Sequence, residues 1–102
     1  MGSMTQESLT AALMSTNPVY CDRVNRLALS LEGTWVGTVY LQKCIKNNGV
    51  SDWPAAGDAG WNTVAQYTVP MEDQVAFGDC AWYRWYFAAR TSGTVVATRG
   101  LA

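Results

Sequence analysis

The chain has 102 residues, seven basic and eight acidic side chains, a formal net charge of -1 and no histidine. That length suits one domain with a single core. The basic residues are scattered, with no cluster beyond Lys43 and Lys46, which argues against nucleic acid as a partner because phosphate neutralisation needs grouped Lys and Arg.

Apolar residues make up 49% of the chain and charged ones 15%, well under the roughly 25% usual for globular domains. So little charge points to a surface partly covered by copies of the same chain or by another protein. No apolar run approaches the about 20 residues that span a bilayer, and no stretch reads as a secretory signal. The absence of histidine removes the commonest general base, the commonest metal ligand and every Ser-His or Cys-His pair. Cys21, Cys44 and Cys80 are odd in number and match no metal spacing. They read as reduced thiols, with one disulfide and a spare thiol as the alternative.

Met1 to Ser3 read as a tag remnant. Residues 4–18 read as an N-terminal arm, within which 5–18 are the only helix-capable segment: Thr5 offers a cap and Leu9, Ala12 and Leu13 share a helical face. The piece is short, and Pro18 ends it. From Val19 to the end we expect one all-β domain. Leu27, Leu29 and Leu31 alternate with Ala28 and Ser30, and Gly33 breaks the run. Residues 34–45 follow, rich in β-branched and aromatic side chains. Asn47-Asn48-Gly49 signals a turn. Residues 50–60, with Pro54, Gly57 and Gly60, read as a surface loop. Residues 61–69 form a strand stopped by Pro70, with a weaker strand near 75–77. The last two strands are expected over 81–90 and 94–99, joined at Thr91-Ser92-Gly93. These elements predict a small antiparallel β-sandwich, jelly-roll-like or immunoglobulin-like, built from two hairpins: 24–32 with 34–45, and 81–90 with 94–99.

The segment from Trp82 to Phe87 carries five aromatic rings around Arg84. On a strand, Tyr83, Trp85 and Phe87 face one way and Trp82, Arg84 and Tyr86 the other. We expect the first, more apolar set in the core. The second set needs another cover, and a subunit interface through Trp82, Arg84 and Tyr86 is the reading we favour. Arg84 between rings suits cation–π stacking or a carboxylate across that interface. Trp53, in the loop, is a further candidate anchor. An open platform for sugar rings is the rival reading of the same face.

The remaining chemistry is sparse. Asp52 and Asp58 lack a calcium-loop spacing. Glu72, Asp73 and Asp79 read as solvated charge, and Cys80 has no base beside it. We expect no catalytic residue, no metal and no cofactor, and hence no enzyme.

The runs GTWVGTVYLQ, Trp61 with Tyr67-Thr68 and Pro70, and Trp82-Tyr83-Arg84 with Thr91-Ser92-Gly93-Thr94-Val95 carry a resemblance. Together, over about residues 27–96, they resemble small phage and prophage virion structural proteins of β-sandwich type. Asn47-Asn48 replaces the acidic turn usual there, residues 50–60 are an insert, and the arm before Val19 has no counterpart. The resemblance implies a structural component of a phage particle and leaves capsid exterior, tail and fibre open. Within it the reading we favour is a capsid decoration or head-stabilising protein on the virion surface, made in the host cytoplasm, with the major capsid protein and further copies of the chain as partners. A trimer is expected because three-fold points are natural seats on an icosahedral shell. A tail, collar or fibre-base position is the alternative, and a carbohydrate-binding module is the rival class.

Overall fold

In a computed structural model of the chain, residues 3–21, 26–46, 54–75 and 81–101 are described. All regular structure among them is strand: β1 (Ser3–Leu9), β2 (Val19–Cys21), β3 (Leu27–Cys44), β4 (Asn62–Tyr67), β5 (Met71–Val75) and β6 (Ala81–Leu101). They form one antiparallel sheet, so the chain is all-β, consistent with a small β-sandwich. Its spine is the pair β3 and β6, in register from Leu27 opposite Leu101 to Cys44 opposite Trp82. On the far side of β3 lie β5, against Leu27–Leu31, and β4, against Val39–Lys43. On the far side of β6 lie β1, against residues 95–101, and β2, against 81–83.

The two spine strands are far longer than the five or six residues usual for a strand. A straight 21-residue strand would run about 70 Å, yet the molecule is 36 Å in its longest dimension. Both strands therefore turn a corner and fold the sheet over itself. The corner lies where Gly33 and Gly37 in β3 face Val95 and Arg90 in β6, and Gly93 faces Trp35. Gly93 has φ 89°, and a Cβ there would fall 2.2 Å from the Thr34 carbonyl oxygen. Gly37 has φ 150° and the same conflict with Ala89, at 2.1 Å. Only glycine lets the backbones pass this closely while bending.

β6 also carries two extra residues at the corner. Between Val36 and Gly37 the partner changes from Ser92 to Arg90, and between Thr38 and Val39 from Ala89 to Phe87. Thr91 and Ala88 are left over as bulges, which strengthen the local bend. One bulge alone would throw the following odd-numbered side chains to the opposite face. Two restore the count, so odd residues face the core on both sides of the corner. Leu27, Leu29, Leu31, Val95 and Ala97 from one half meet Val39, Leu41, Tyr83, Trp85 and Phe87 from the other in one buried cluster. The Trp85 indole spans the two halves: its Nε1 donates to the Thr98 carbonyl at 2.9 Å.

Two expectations are corrected here. The hairpins at Gly33 and at Gly93 do not form. Each predicted pair of strands is one continuous strand, because these glycines sit at positive φ within the paired ladder, close to the two bulges of β6, and bend it without reversing it. The N-terminal segment is neither helical nor a loose arm. β1 alternates, with Glu7 and Leu9 turned in and Gln6 and Ser8 turned out. The chain then continues along the same edge of β6, where Leu13 and Thr16 donate to the carbonyls of Phe87 and Trp85. Edge pairing satisfies backbone groups that a short isolated helix would leave to water.

Candidate functional site

The face of the sheet turned away from the core, in the half holding β2 and β4, carries the second aromatic set. Tyr40, Gln42 and Cys44 of β3 lie directly opposite Tyr86, Arg84 and Trp82 of β6. Their order follows from strand alternation, since Tyr83, Trp85 and Phe87 are wholly buried on the other face as expected.

This outer face is covered, and the cover is the chain itself. Trp82 is 6% exposed and meets the Tyr20 ring of β2 edge-on at 5.3 Å. Arg84 is 4% exposed. Its Nε donates to Gln42 Oε1 at 2.9 Å and its Nη1 to the Ala56 carbonyl at 2.8 Å, with Ser15 Oγ at 3.4 Å. Gln42 passes the chain of bonds on to Thr63 Oγ1 of β4. One polar rung thus crosses from the N-terminal segment through β6 and β3 to β4.

Above that rung lies the loop of residues 54–61. The Trp61 ring stacks over the Arg84 guanidinium at 4.2 Å, while the Tyr86 ring lies 5.2 Å away. Trp61 is fixed by its own Nε1, which donates to the Ala55 carbonyl at 2.9 Å. The loop is closed by Asp58, whose carboxylate accepts from the Gly60 N–H at 2.7 Å and pairs with Lys46 at 3.0 Å. Those two contacts hold the Asp58 carboxyl below its ordinary value of 3.8, the Gly60 hydrogen bond contributing most. Burial pulls the Arg84 guanidinium below the usual arginine value, and Tyr86 and Cys44 act against that pull.

The expected interface set is therefore placed as follows. Trp82 and Arg84 are buried under segments of their own chain, Tyr86 is half-buried beside Tyr40 at 6.4 Å, and Trp53 lies outside the described residues. The premise that something beyond this chain must cover the second face does not hold. Cation–π stacking on Arg84 is present, but the stacked indole belongs to Trp61, which the sequence reading had placed at the start of a strand. The two residues are 23 positions apart, and no local pattern in the sequence pairs them. Trp82 is closed off, while the Tyr40, Trp61 and Tyr86 rings of that face stay partly exposed.

The other candidate residues are dispersed. Glu72 and Asp73 are exposed on β5, opposite Ser30 and Leu29, and as strand neighbours they point to opposite faces. Asp52, Asp79, Cys80 and Asn47 to Gly49 lie outside the described residues. Cys44 is a buried thiol under Gly60, and Cys21 is buried as well. Among the described residues no three His, Cys, Asp or Glu side chains gather as a metal-binding group.

Among the described residues the most exposed large apolar ones are Leu13, Val36 and Val69 at the corner, and Ile45 just past the end of β3. Leu13 is 67% exposed, Val36 57% and Val69 62%. Each sits where its strand line turns: Leu13 between β1 and β2, Val36 in the bend of β3, Val69 between β4 and β5. Ala12 and Pro70 are exposed beside Leu13 and Val69 in sequence, and Ala89, opposite Thr38, is exposed as well. Glu32 and Arg90 are the charged residues of these corner segments. Among the described residues the corner offers apolar contact, the hydroxyls of Thr34, Thr91 and Ser92, and backbone groups. No family model, no curated protein and no solved structure matches this chain.

Proposed function

We propose that this protein is a non-enzymatic structural component of a phage particle, a decoration protein that sits on the capsid exterior and stabilises it. The observation that carries the reading is the corner. The run on which the virion likeness rests most, Gly33–Gln42, forms the bend of β3, and its first part, Gly33–Val36, pairs with Ser92–Val95 of a second, weaker run. That run lies in the element that bends the sheet and sets a largely apolar rim on the surface, with Glu32 and Arg90 as its charges.

A bent sheet held by a continuous core is stiff, and stiffness keeps the ordering cost of binding small. The rim would enter a junction between shell subunits, and repeated copies multiply modest contacts through avidity. The contact surface thus moves from Trp82 and Arg84, which the chain covers, to Leu13, Val36 and Val69. A tail, collar or fibre-base position would use the same rim.

The test is co-sedimentation of purified protein with capsids that lack it. Saturable binding is expected, weakened at least tenfold by Val36→Asp or Val69→Asp at unchanged unfolding midpoint. Binding to isolated tails instead would move the protein to the alternative position. Binding to neither would end the virion reading.

A further inference from the structure

We infer that the N-terminal strand is exchangeable: β1 of one copy can leave its own β6 and take the same place on β6 of a second copy, with residues 10–13 as the hinge. The inference rests on the fold and does not need the virion reading.

β1 pairs with β6 alone and is the outermost strand of its half of the sheet. Its release breaks no pairing between other strands. Its attachments form a compact plug. Leu9 is buried in the core. The Arg99 guanidinium binds the Glu7 carboxylate and donates from Nη1 to the Thr5 carbonyl at 2.9 Å. The Asn17 N–H also donates to Glu7 Oε2, at 2.8 Å, while Arg99 Nε holds the Asn17 carbonyl. Arg99 and Asn17 stay with the body of the protein. They present to an incoming β1 the same receptor that they present to their own, because the copies are identical.

The hinge supplies the drive. Leu13 has φ 67°, a left-handed backbone in a residue that disfavours it. Its side chain is 67% exposed, so no burial compensates the strain. The link rests on Thr10, Ala11 and Ala12, a short connection past the corner between two segments that both pair, in the same direction, with β6. Short hinges under strain favour exchange. An extended hinge relaxes Leu13 at the loss of its N–H bond to the Phe87 carbonyl and carries β1 past the corner, and reciprocal exchange closes a two-fold dimer in which the β1–β6 ladder is kept.

The experiment uses two differently tagged batches, one Gln6→Cys and the other Thr98→Cys, since these positions face each other across the β1–β6 pair. They are mixed, incubated at high concentration and treated with a short thiol–thiol crosslinker, with the parent chain as background for its own cysteines. Mixed-tag crosslinked dimers are expected. Their yield should fall about tenfold with Leu13→Gly, which adopts positive φ freely, and rise with Leu13→Val. A single chain carrying both cysteines should close its own crosslink, which shows that the variants fold. Absence of mixed dimers while that control closes would overturn the inference. So would mixed dimers indifferent to residue 13, because a surface contact without exchange does not depend on the hinge backbone.

Discussion

At the scale of single residues, Arg84 organises the outer face. A buried guanidinium must have its donors met, and here neutral acceptors and two rings meet them. Arg84→Lys keeps the charge but loses the fork that reaches Gln42 and Ala56 together, and we expect a loss of about 2 kcal/mol in denaturant unfolding. Trp82→Asp is expected to cost more than about 4 kcal/mol and to unfold the protein near room temperature, since it places a carboxylate on a closed, aromatic surface. A soluble, fully folded Trp82→Asp protein would restore that ring to an interface. The alternation that separates Tyr83, Trp85 and Phe87 from Trp82, Arg84 and Tyr86 was legible in the sequence because a strand has a period of two. The identity of the cover was not. Trp61 and Arg84 are 23 positions apart, and no local pattern says which loop folds back onto which face.

At the scale of elements, the loop of residues 54–61 is held by Asp58. Its carboxyl is lowered in the folded state, so the contribution of its contacts is present above pH 3.8 and lost as pH falls through the lower folded value. We expect tryptophan emission from the native protein to shift toward the solvent-exposed position below that pH, as Trp61 lifts from Arg84. Asp58→Asn should lack this titration while keeping the fold. An identical acid shift in Asp58→Asn would assign the change to other groups. The strands themselves were largely readable: β3, β4 and β6 fall where β-branched and aromatic residues collect. Their joins were misread because Gly33 and Thr91-Ser92-Gly93 carry the same composition as a reversing turn. Positive φ in a paired strand and positive φ in a hairpin leave the same trace in sequence. The helix-like spacing of Leu9, Ala12 and Leu13 was overridden by an open edge of β6, which pairs the backbone along 13 to 21 and along β1.

At the scale of the whole molecule, the accessible surface is 5549 Å². A compact monomer of 11.1 kDa is expected to show about 5,700 Å². The folded chain is thus as closed as a protein that stands alone, and its low charge is accounted for partly by how many aromatic rings it shelters itself. In the function and the exchange proposed above, association would use the corner rim and β1.

The paired bulges in β6 make the length of that strand count in twos. Removing Ala88 alone would turn Val95 and Ala97 outward and Val96 and Thr98 inward, so the variant should be insoluble or molten. Removing Ala88 and Thr91 together would return every side chain to its side and leave a flatter, foldable ribbon, which circular dichroism and a cooperative melt would detect. Natural relatives of this chain should therefore differ at the bend by insertions or losses of even number.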